Sequence, residues 1–354
     1  MLCWISRQRS QNVEQKKGTP PVNPPVSCTS LYGVTTWDTV SETETRTNMS
    51  DLPVQSRQYT NHPIINSDRW DAYHHRPGDI IISTSYKAGT TWTQTIVANL
   101  LHQDGELPAP VGVMSPWLDQ DVRPVADVVA DLEAQTERRF IKTHLPLDGL
   151  PYFDTATYVV VGRDPRDVFM SMWNHHSGYT DETGAIMQQK AEALGYQFPT
   201  DQVDIHAFWE GWINRSYFEW ERDGFPYWSH LHHAQSWWDY RHLDNIELFH
   251  YSDMLSDPER EIRRLAAYLD IDIDKTELPG IVKRTSFDDM KANFDNIMPE
   301  ANLVWKGGGD TFMNKGTNGR WREVLTEQEL SRYREVIGTT LTSDCASWLE
   351  NGSV

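Results

Sequence analysis

The sequence predicts an α/β fold in which helices cover both faces of a mainly parallel central sheet, giving three layers in the order α/β/α. Two patterns favour this fold class. Short apolar runs bounded by polar residues recur along the chain, as in strands buried on both faces of a parallel sheet. Between them lie longer stretches with apolar residues at helical spacing, and strands that alternate with helices are typical of layered α/β folds.

The first strand-helix pair covers residues 78–101. Residues 78–85 contain three consecutive isoleucines and are predicted to form a buried strand, followed by a loop at 86–91. Residues 92–101 place apolar side chains at helical spacing, so we expect a helix there. A strand, a tight turn with glycine and a helix make the first half of a β-α-β unit.

Three further buried strands are predicted, at 139–145, 156–162 and 246–251. After the second of these, Asp164 can cap a helix whose first residue is Pro165. The spacing of these elements continues the alternation of strand and helix.

Two more helix starts carry their own signals. One helix is predicted to begin at Asp257-Pro258, after the last strand. A final helix is predicted after Thr326, because Thr326 and Glu329 form the pattern of a capping box.

Composition divides the chain into three parts. Residues 1–60 include the polar, Pro-rich run QKKGTPPVNPPVS and a Ser/Thr/Glu tract without helical or strand periodicity, so we predict a disordered N-terminal extension. Residues 61–345 show no internal repeat and are predicted to form one domain. Residues 346–354 are predicted to be a C-terminal tail.

The composition also excludes several classes of protein. The 354 residues carry a formal net charge of −19, so most of the surface would repel a phosphate backbone and we expect no nucleic-acid partner. Three scattered cysteines are too few for a disulfide framework or a four-ligand zinc site, which favours a reducing, cytoplasmic setting. No apolar run approaches the roughly 18 residues of a membrane span. An anionic ligand would therefore need a local site.

The loop after the first predicted strand suits an anion. A helix N-terminus attracts phosphate or sulfate through its free N–H groups and its dipole. Gly89 lets the backbone approach an oxyanion closely, and Lys87 supplies a cation. The hydroxyls of Thr90 and Thr91 add donors. Lys87 precedes the glycine, whereas in triphosphate-binding loops the lysine follows the second glycine, so the order disfavours a nucleoside triphosphate.

Polar residues also mark the ends of the next two predicted strands. Lys142 and His144 share one face of their strand, at the edge where open α/β sheets bind ligands. A histidine base beside a lysine could deprotonate a hydroxyl while the lysine stabilises negative charge. Arg163 directly follows the next predicted strand, and Ser171 lies about two turns into the helix after it. With a second phosphate to hold, Arg163 becomes a candidate ligand. The loop within Phe312–Trp321, with two glycines, two asparagines and two cations, suits closure over an anion.

Together these segments resemble the cytosolic-type sulfotransferases, which move a sulfuryl group from 3′-phosphoadenosine 5′-phosphosulfate (PAPS) to an acceptor hydroxyl or amine. The likeness covers roughly residues 65–340. It is closer to bacterial members, particularly mycobacterial glycolipid sulfotransferases, through residues 115–120, 138–144 and 161–167. The resemblance implies a P-loop-like α/β/α fold, PAPS as co-substrate and no metal.

The resemblance also implies roles for residues in the four motifs. Lys87–Trp92 is similar to the family's K-S-G-T-T-W loop for the 5′-phosphosulfate, with Ala88 in place of serine. Lys142–Pro146 is similar to its K-x-H-x-P segment, which implies that His144 is the catalytic base. The implied nucleotide-binding residues are Lys87, Ala88, Gly89, Thr90, Thr91, Trp92, Arg163, Ser171, Tyr251, Thr285, Phe287, Met290, Asn314, Lys315 and Gly316, with Trp92 and Phe287 enclosing the adenine.

Two positions depart from the family pattern F-M-R-K-G-x-x-G-D-W. Asn314 stands where the family usually has arginine, and Arg320 where it often has aspartate. The first change removes one cation expected to bind the 3′-phosphate, unless Lys315, Arg320 or Arg322 compensates.

The expected mechanism gives each catalytic residue one task. His144 takes the acceptor proton, Lys142 stabilises the sulfuryl oxygens and Lys87 neutralises the leaving phosphate. Ser171 is expected to contact the 3′-phosphate and to bond Lys87 when no acceptor is present. Most of the many aromatic residues between 206 and 240 are expected to form core, while those flanking the turn at 223–226 would line a hydrophobic acceptor pocket.

That pocket favours a small apolar or amphipathic acceptor, such as an alcohol, phenol, steroid or glycolipid. Two other functions stay open at this point. One is a P-loop kinase-like phosphotransferase, which would need magnesium; the other is a non-catalytic nucleotide-binding homologue. The sequence leaves a homodimer open and does not identify the acceptor.

Overall fold

Four parallel strands form the sheet in the computed structural model, which describes residues 52–199 and 204–353. The strand order is β2-β1-β3-β4, and every neighbouring pair is parallel. Each strand lies within its predicted range, so the predicted α/β class with a parallel central sheet is confirmed. The strands are β1 Ile80–Thr84, β2 Phe140–Thr143, β3 Thr157–Gly162 and β4 Ile246–His250.

Helices fill the connections between the strands and the C-terminal part of the chain. Those of the described residues are α1 Thr90–Leu101, α2 Val111–Met114, α3 Val125–Ala134, α4 Pro165–Ser177, α5 Asp181–Ala193, α6 Ile205–Asn214, α7 His230–Trp238, α8 Tyr251–Ser256, α9 Pro258–Tyr268, α10 Leu278–Arg284, α11 Phe287–Ala292, α12 Ala301–Val304, α13 Gly309–Phe312, α14 Glu327–Thr340 and α15 Ser343–Asn351. Four short 3-10 turns occur at Ser67–Ala72, Leu147–Gly149, Phe294–Asn296 and Arg320–Glu323.

The core of the sheet is apolar on both faces. Ile81 of β1 pairs with Ile141 on one side and Tyr158 on the other, and all three are fully buried. Such burial explains why these strands appear in the sequence as continuous apolar runs without alternation. It also leaves the strand ends as the places where polar side chains can lie.

The direction in which successive strands are added to the sheet reverses at β1. From β1 the chain goes to β2 on one side of it and later to β3 on the other side. In open parallel sheets a ligand crevice lies outside the carboxyl ends of the strands at such a point. The fold therefore predicts that a ligand would bind beside the residues that follow Thr84, Thr143 and Gly162.

Two helices begin at this edge with different caps. Gly89, at φ 109°, is the N-cap of α1 and offers no side chain to the first N–H groups of the helix. By contrast, Asp164 caps α4 by accepting from the N–H of Arg166, with Pro165 in the first turn as predicted. The capping box of Thr326 and Glu329 at the start of α14 is present too.

Described residues near both ends of the chain are buried in the core. Most of the predicted disordered extension, residues 1–51, lies outside the described residues, whereas Tyr59 is fully buried and its hydroxyl donates to Glu221 over 2.8 Å. The tail predicted at 346–354 is helical as far as Asn351, and its Trp348 is buried because it packs against Trp238. Among the helices of the described residues, none has the length and apolarity needed to cross a bilayer.

Candidate active site

A polar or aromatic residue that the sequence analysis singled out follows each of the four strands. Lys87 lies three residues beyond the end of β1, His144 follows β2 directly, Arg163 follows β3 and Tyr251 follows β4. Because all four strands are parallel, their carboxyl ends meet at one edge of the sheet. The predicted site residues are thus brought together by the topology.

The loop between β1 and α1 has a fixed shape. Lys87 and Gly89 both have positive φ angles, 60° and 109°. The Arg163 guanidinium donates to the Lys87 carbonyl over 3.0 Å, which ties the loop to the end of β3. A Cβ atom on Gly89 would lie 3.0 Å from the ring of Tyr251, so this position has little room for a side chain.

His144 is held in one tautomer by the strand beside it. Its Nδ1 lies 2.7 Å from the carbonyl oxygen of Thr84, and because a carbonyl can only accept, Nδ1 carries the proton. Nε2 then has the free lone pair, and it makes no hydrogen bond to any residue in the described part of the chain. An imidazole in this state is suited to accept a proton.

The electrostatic surroundings keep His144 neutral. Burial lowers the pKa of its imidazole well below the usual range, and the positive charges of Lys142 and Lys87 lower it further. Hydrogen bonding to Thr84 opposes these effects but does not outweigh them. The His144 imidazole is therefore neutral at physiological pH.

Trp117 lies against both members of the Lys142 and His144 pair. The Lys142 amine is 4.6 Å from the centre of the Trp117 ring, and the His144 ring packs edge-on to it at 4.5 Å. The Trp117 indole N–H donates to the buried carboxylate of Asp119 over 2.7 Å. Burial lowers the pKa of Lys142 to about 8, with Asp119 opposing the shift.

The amine of Lys87 faces helices α4 and α13. It lies 3.3 Å from Nδ1 of His175 and 4.1 Å from the centre of the Phe312 ring. Burial lowers the pKa of Lys87 to about 7, and the positive charges of Arg163 and Lys142 contribute to that shift. No carboxylate compensates the charge of Lys87 among the described residues.

Ser171 and Lys87 do not form the hydrogen bond that we expected in the absence of an acceptor. Within the described chain the amine of Lys87 has His175 as its hydrogen-bonding partner instead. Ser171 and His175 are four residues apart on α4, so they lie on the same face of the helix, one turn from each other. The imidazole is longer than the serine side chain and reaches the lysine from one turn further along.

Besides its hydrogen bond to Lys87, the Arg163 guanidinium contacts an aromatic ring and the loop at 313–319. Its guanidinium lies 4.0 Å over the ring of Tyr251. Two of its N–H groups donate to the side-chain oxygen of Asn318, over 2.9 and 3.3 Å. The amide nitrogen of Asn318 donates in turn to the hydroxyl of Ser252 over 3.0 Å. The loop at 313–319, here called the glycine-rich loop, is thus joined to the end of β3 and to α8.

The two residues predicted to enclose adenine contact Tyr251 and the glycine-rich loop. Trp92 packs edge-on to Tyr251 at 5.4 Å between ring centres. Gly316 lies so close to Phe287 that a Cβ atom on it would be 2.4 Å from the ring. Trp92 therefore lies beside the Tyr251 ring that Arg163 covers, and Phe287 lies against the glycine-rich loop.

The other predicted nucleotide-binding residues have different surroundings. Thr285 directly follows α10, and its buried hydroxyl donates to the carbonyl of Ile281 in that helix over 2.9 Å. Met290 and Ala88 are buried in the core, whereas Asn314 and Lys315 are exposed. The hydroxyl of Thr90 lies 2.5 Å from that of Thr84, and Thr91 is half-buried.

Most of the tryptophans between 206 and 240 belong to the core, as expected. Trp209, Trp212 and Trp237 are fully buried. Trp228, which follows the turn at 223–226, is also almost fully buried, but its ring lies 5.9 Å from that of His144. Of these residues, Trp228 is therefore the one with a direct contact to the predicted base.

Several residues of this site were not found by sequence reasoning. They include His175, Asn318, Trp117 and His230. Nε2 of His230 lies 3.0 Å from the carbonyl of Arg163 and its Nδ1 contacts the hydroxyl of Ser85, so it joins the ends of β1 and β3. None of these contacts has a local signal, because each joins segments far apart in the chain.

Known proteins are similar to this chain in sequence and in fold. The sulfotransferase domain matches residues 77–344. A glycolipid sulfotransferase of Mycobacterium bovis is 34% identical over 323 residues, which cover 86% of this chain and 97% of the relative. Sulfotransferase 1A1 of Rattus norvegicus is 28% identical over 292 residues, covering 80% and 89% of the two chains.

A solved structure has a similar fold. The crystal structure of retinol dehydratase, in complex with androsterone and the inactive cofactor PAP, matches with a TM-score of 0.62 at 23% identity. The match covers 78% of this chain and 84% of the other. At this identity the likeness shows a common fold.

Proposed function

This chain belongs to the sulfotransferase family, and from that premise we propose that it moves the sulfuryl group of PAPS to a hydroxyl of a small apolar or amphipathic acceptor, with His144 as general base. PAPS comes from the family resemblance and from the PAP named with the retinol dehydratase structure. The residues proposed to carry the reaction are Lys87, Lys142 and His144, with Arg163 at the other end of the nucleotide.

One observation supports this proposal most directly: cations lie together at the edge of the sheet in a protein whose formal net charge is −19. In the described chain, the charges that act on Lys87 are those of Arg163 and Lys142, and all three are positive. Cations that repel one another and lose solvation cost free energy. A polyanionic ligand would offset that cost, and a nucleotide with phosphates at both ends matches the spread of the cations over three strand ends.

The proposed chemistry needs no nucleophile from the protein. His144 takes the proton of the acceptor hydroxyl at Nε2 as that oxygen forms its bond to sulfur. The bond between sulfur and the bridging oxygen of the 5′-phosphate breaks, and its electron pair leaves with the phosphate. Lys142 and Lys87 stabilise the negative charge on the sulfuryl oxygens and on that phosphate.

The surroundings of His144 favour an acceptor with an apolar body. Trp117 and Trp228 lie next to the imidazole, at 4.5 and 5.9 Å between ring centres. Aromatic rings bind flat or lipid-like groups and exclude water from the proton that His144 must take. The name of the Mycobacterium bovis relative adds glycolipids to the alcohols, phenols and steroids that this surface suits.

The test uses the full chain with PAPS carrying labelled sulfate and an acceptor set of phenols, sterols, long-chain alcohols and glycolipids, with EDTA present. We expect labelled product from at least one acceptor and binding of 3′,5′-bisphosphoadenosine by calorimetry. Nucleotide binding without transfer to any acceptor would favour the non-catalytic alternative. Phosphate transfer from ATP that EDTA abolishes would favour the kinase alternative.

A further inference from the structure

The end of the glycine-rich loop is fixed beside Arg163. The backbone N–H of Gly319 donates to the carboxylate of Asp167 over 2.7 Å, and the side-chain oxygen of Asn318 accepts from Arg163 over 2.9 Å. Arg163 directly follows β3, and Asp167 lies in the first turn of α4. The next residue of the loop, Arg320, begins a short 3-10 turn at this point. The backbone of Arg320 is therefore held close to Arg163 and Asp167.

One buried nitrogen of the Arg320 side chain has no acceptor among the described residues. Its Nε atom is buried and has no hydrogen-bond partner in residues 52–199 and 204–353. Burial lowers the pKa of Arg320, the positive charge of Arg163 lowers it further, and Asp167 opposes the shift. A buried donor without an acceptor and two repelling guanidinium groups each cost free energy. A bound oxyanion would relieve both.

The other residues considered for this role are placed differently. Asn314 and Lys315 are exposed. Arg322 is exposed too, and its guanidinium lies 4.5 Å over the ring of Trp321. Arg320, by contrast, has a half-buried side chain whose charge interacts with that of Arg163.

We propose that Arg320 binds the 3′-phosphate of the nucleotide together with Arg163, and so replaces the arginine that the family usually has at position 314. The proposal rests on the proposed function, because it concerns one end of the same donor. Guanidinium groups suit this role, since each can offer two parallel N–H donors to a phosphate. Asp167 and Asn318 act as positioning residues that hold the loop and Arg163 in place.

The test compares two nucleotides that differ only in the 3′-phosphate, 3′,5′-bisphosphoadenosine and 5′-AMP, on the full chain. Calorimetry would give the ratio of their affinities for the wild type and for Arg320→Ala, Arg320→Lys and Arg322→Ala. We expect Arg320→Ala to weaken bisphosphate binding roughly 10- to 100-fold, because a charge-assisted contact is lost. Its binding of 5′-AMP should change by less than about threefold, and Arg320→Lys should recover part of the loss.

The outcomes separate this proposal from the proposed function. A wild type that binds neither nucleotide, or that does not prefer the bisphosphate, contradicts the proposed function itself. A wild type with that preference, retained in Arg320→Ala, overturns the role of Arg320 alone. A loss in Arg322→Ala in place of Arg320→Ala would move the role to Arg322. Equal weakening of both nucleotides by Arg320→Ala would show a general effect on the loop and would also overturn the proposal, and thermal unfolding of each variant checks that it is folded.

Discussion

The Lys87 amine lies 3.3 Å from Nδ1 of His175 and 4.1 Å from the centre of the Phe312 ring. An ammonium can only donate, so when Lys87 is charged, Nδ1 of His175 accepts. Burial, followed by the charge of Lys87, lowers the pKa of His175 well below its usual range, which keeps the imidazole neutral and able to accept. One of the three donors of the ammonium is thus fixed, and the other two can serve an anion.

Replacing His175 with Phe should impair Lys87 without disturbing the packing of the aromatic residues around it. The loss of the acceptor removes a stabilising contact from the ammonium, so the pKa of Lys87 should fall below about 7. Compared with the wild type, the charged fraction of Lys87 in the variant is then reduced more at pH 8 than at pH 6.5. We expect turnover to fall roughly 10-fold at pH 8 and much less at pH 6.5, with His175→Gln closer to the wild type.

Rates from labelled PAPS across this pH range, together with thermal unfolding, would check the prediction. An equal loss at both pH values would indicate a structural role for His175 and would contradict a role in charging Lys87.

Removal of the His144 imidazole should separate catalysis from nucleotide binding. Thr84 fixes the tautomer of His144, and Nε2 is left to accept the acceptor proton. His144→Ala is expected to reduce turnover by at least about 100-fold, because it removes the general base. The affinity for 3′,5′-bisphosphoadenosine should stay within about threefold of the wild type, since the cations remain. Turnover that is unchanged in this variant would exclude His144 as the base.

Nucleotide affinity should fall as pH rises from 7 to 9. The pKa values of Lys87 and Lys142 are lowered to about 7 and about 8 in the free protein. An anion binds the charged amines, so a lysine that is neutral in the free protein must take up a proton on binding. Each such lysine can reduce affinity by up to about tenfold per pH unit above its pKa.

Calorimetry at pH 8 in two buffers with different ionisation enthalpies would count the protons taken up with 3′,5′-bisphosphoadenosine. Lys87→Met should reduce that uptake. Affinity that does not change over this range would contradict the lowered pKa values.

We expect Asn318 to affect nucleotide affinity by positioning the Arg163 guanidinium. Its side-chain oxygen accepts two hydrogen bonds from Arg163, and its amide nitrogen donates to Ser252. Asn318→Ala leaves Arg163 less well positioned, and we expect bisphosphate affinity to fall roughly 3- to 10-fold. Asn318→Asp should be worse, because its carboxylate would pair with Arg163 and repel the phosphate. Calorimetry that ranks the two variants in the opposite order would contradict this role.

The fold was predictable because its signals are local. A strand buried on both faces needs continuous apolar residues, as in β1, and a helix start needs a cap such as Asp164 or Thr326. The capping and burial requirements act within a few residues, so the sequence displays them. The same argument covers Lys87 and His144, which lie at strand ends and are brought together by the parallel topology.

The partners of those residues were less predictable because they come from distant segments. Asn318 lies far along the chain from Arg163, and neither sequence neighbourhood indicates that they meet. The helical spacing of Ser171 and His175 allowed either to reach Lys87, and the longer side chain makes the contact. Trp348 falls in the predicted tail because the apolar contact that orders it, with Trp238, comes from a segment far away in the chain.

Gly316→Ala should weaken nucleotide binding through Phe287. Gly316 has a φ of 62°, and a Cβ atom there would lie 2.4 Å from the Phe287 ring, so either the ring or the loop must move. Gly195 is a matched control, since its φ is 86° and nothing lies within 4 Å of its Cβ position. Both alanine variants carry the strain of positive φ, about 1 kcal/mol. We expect Gly316→Ala alone to lower bisphosphate affinity, by roughly 10-fold or more, because Phe287 is displaced from the proposed adenine site; equal affinities in the two variants would show that the contact with Phe287 plays no part in binding.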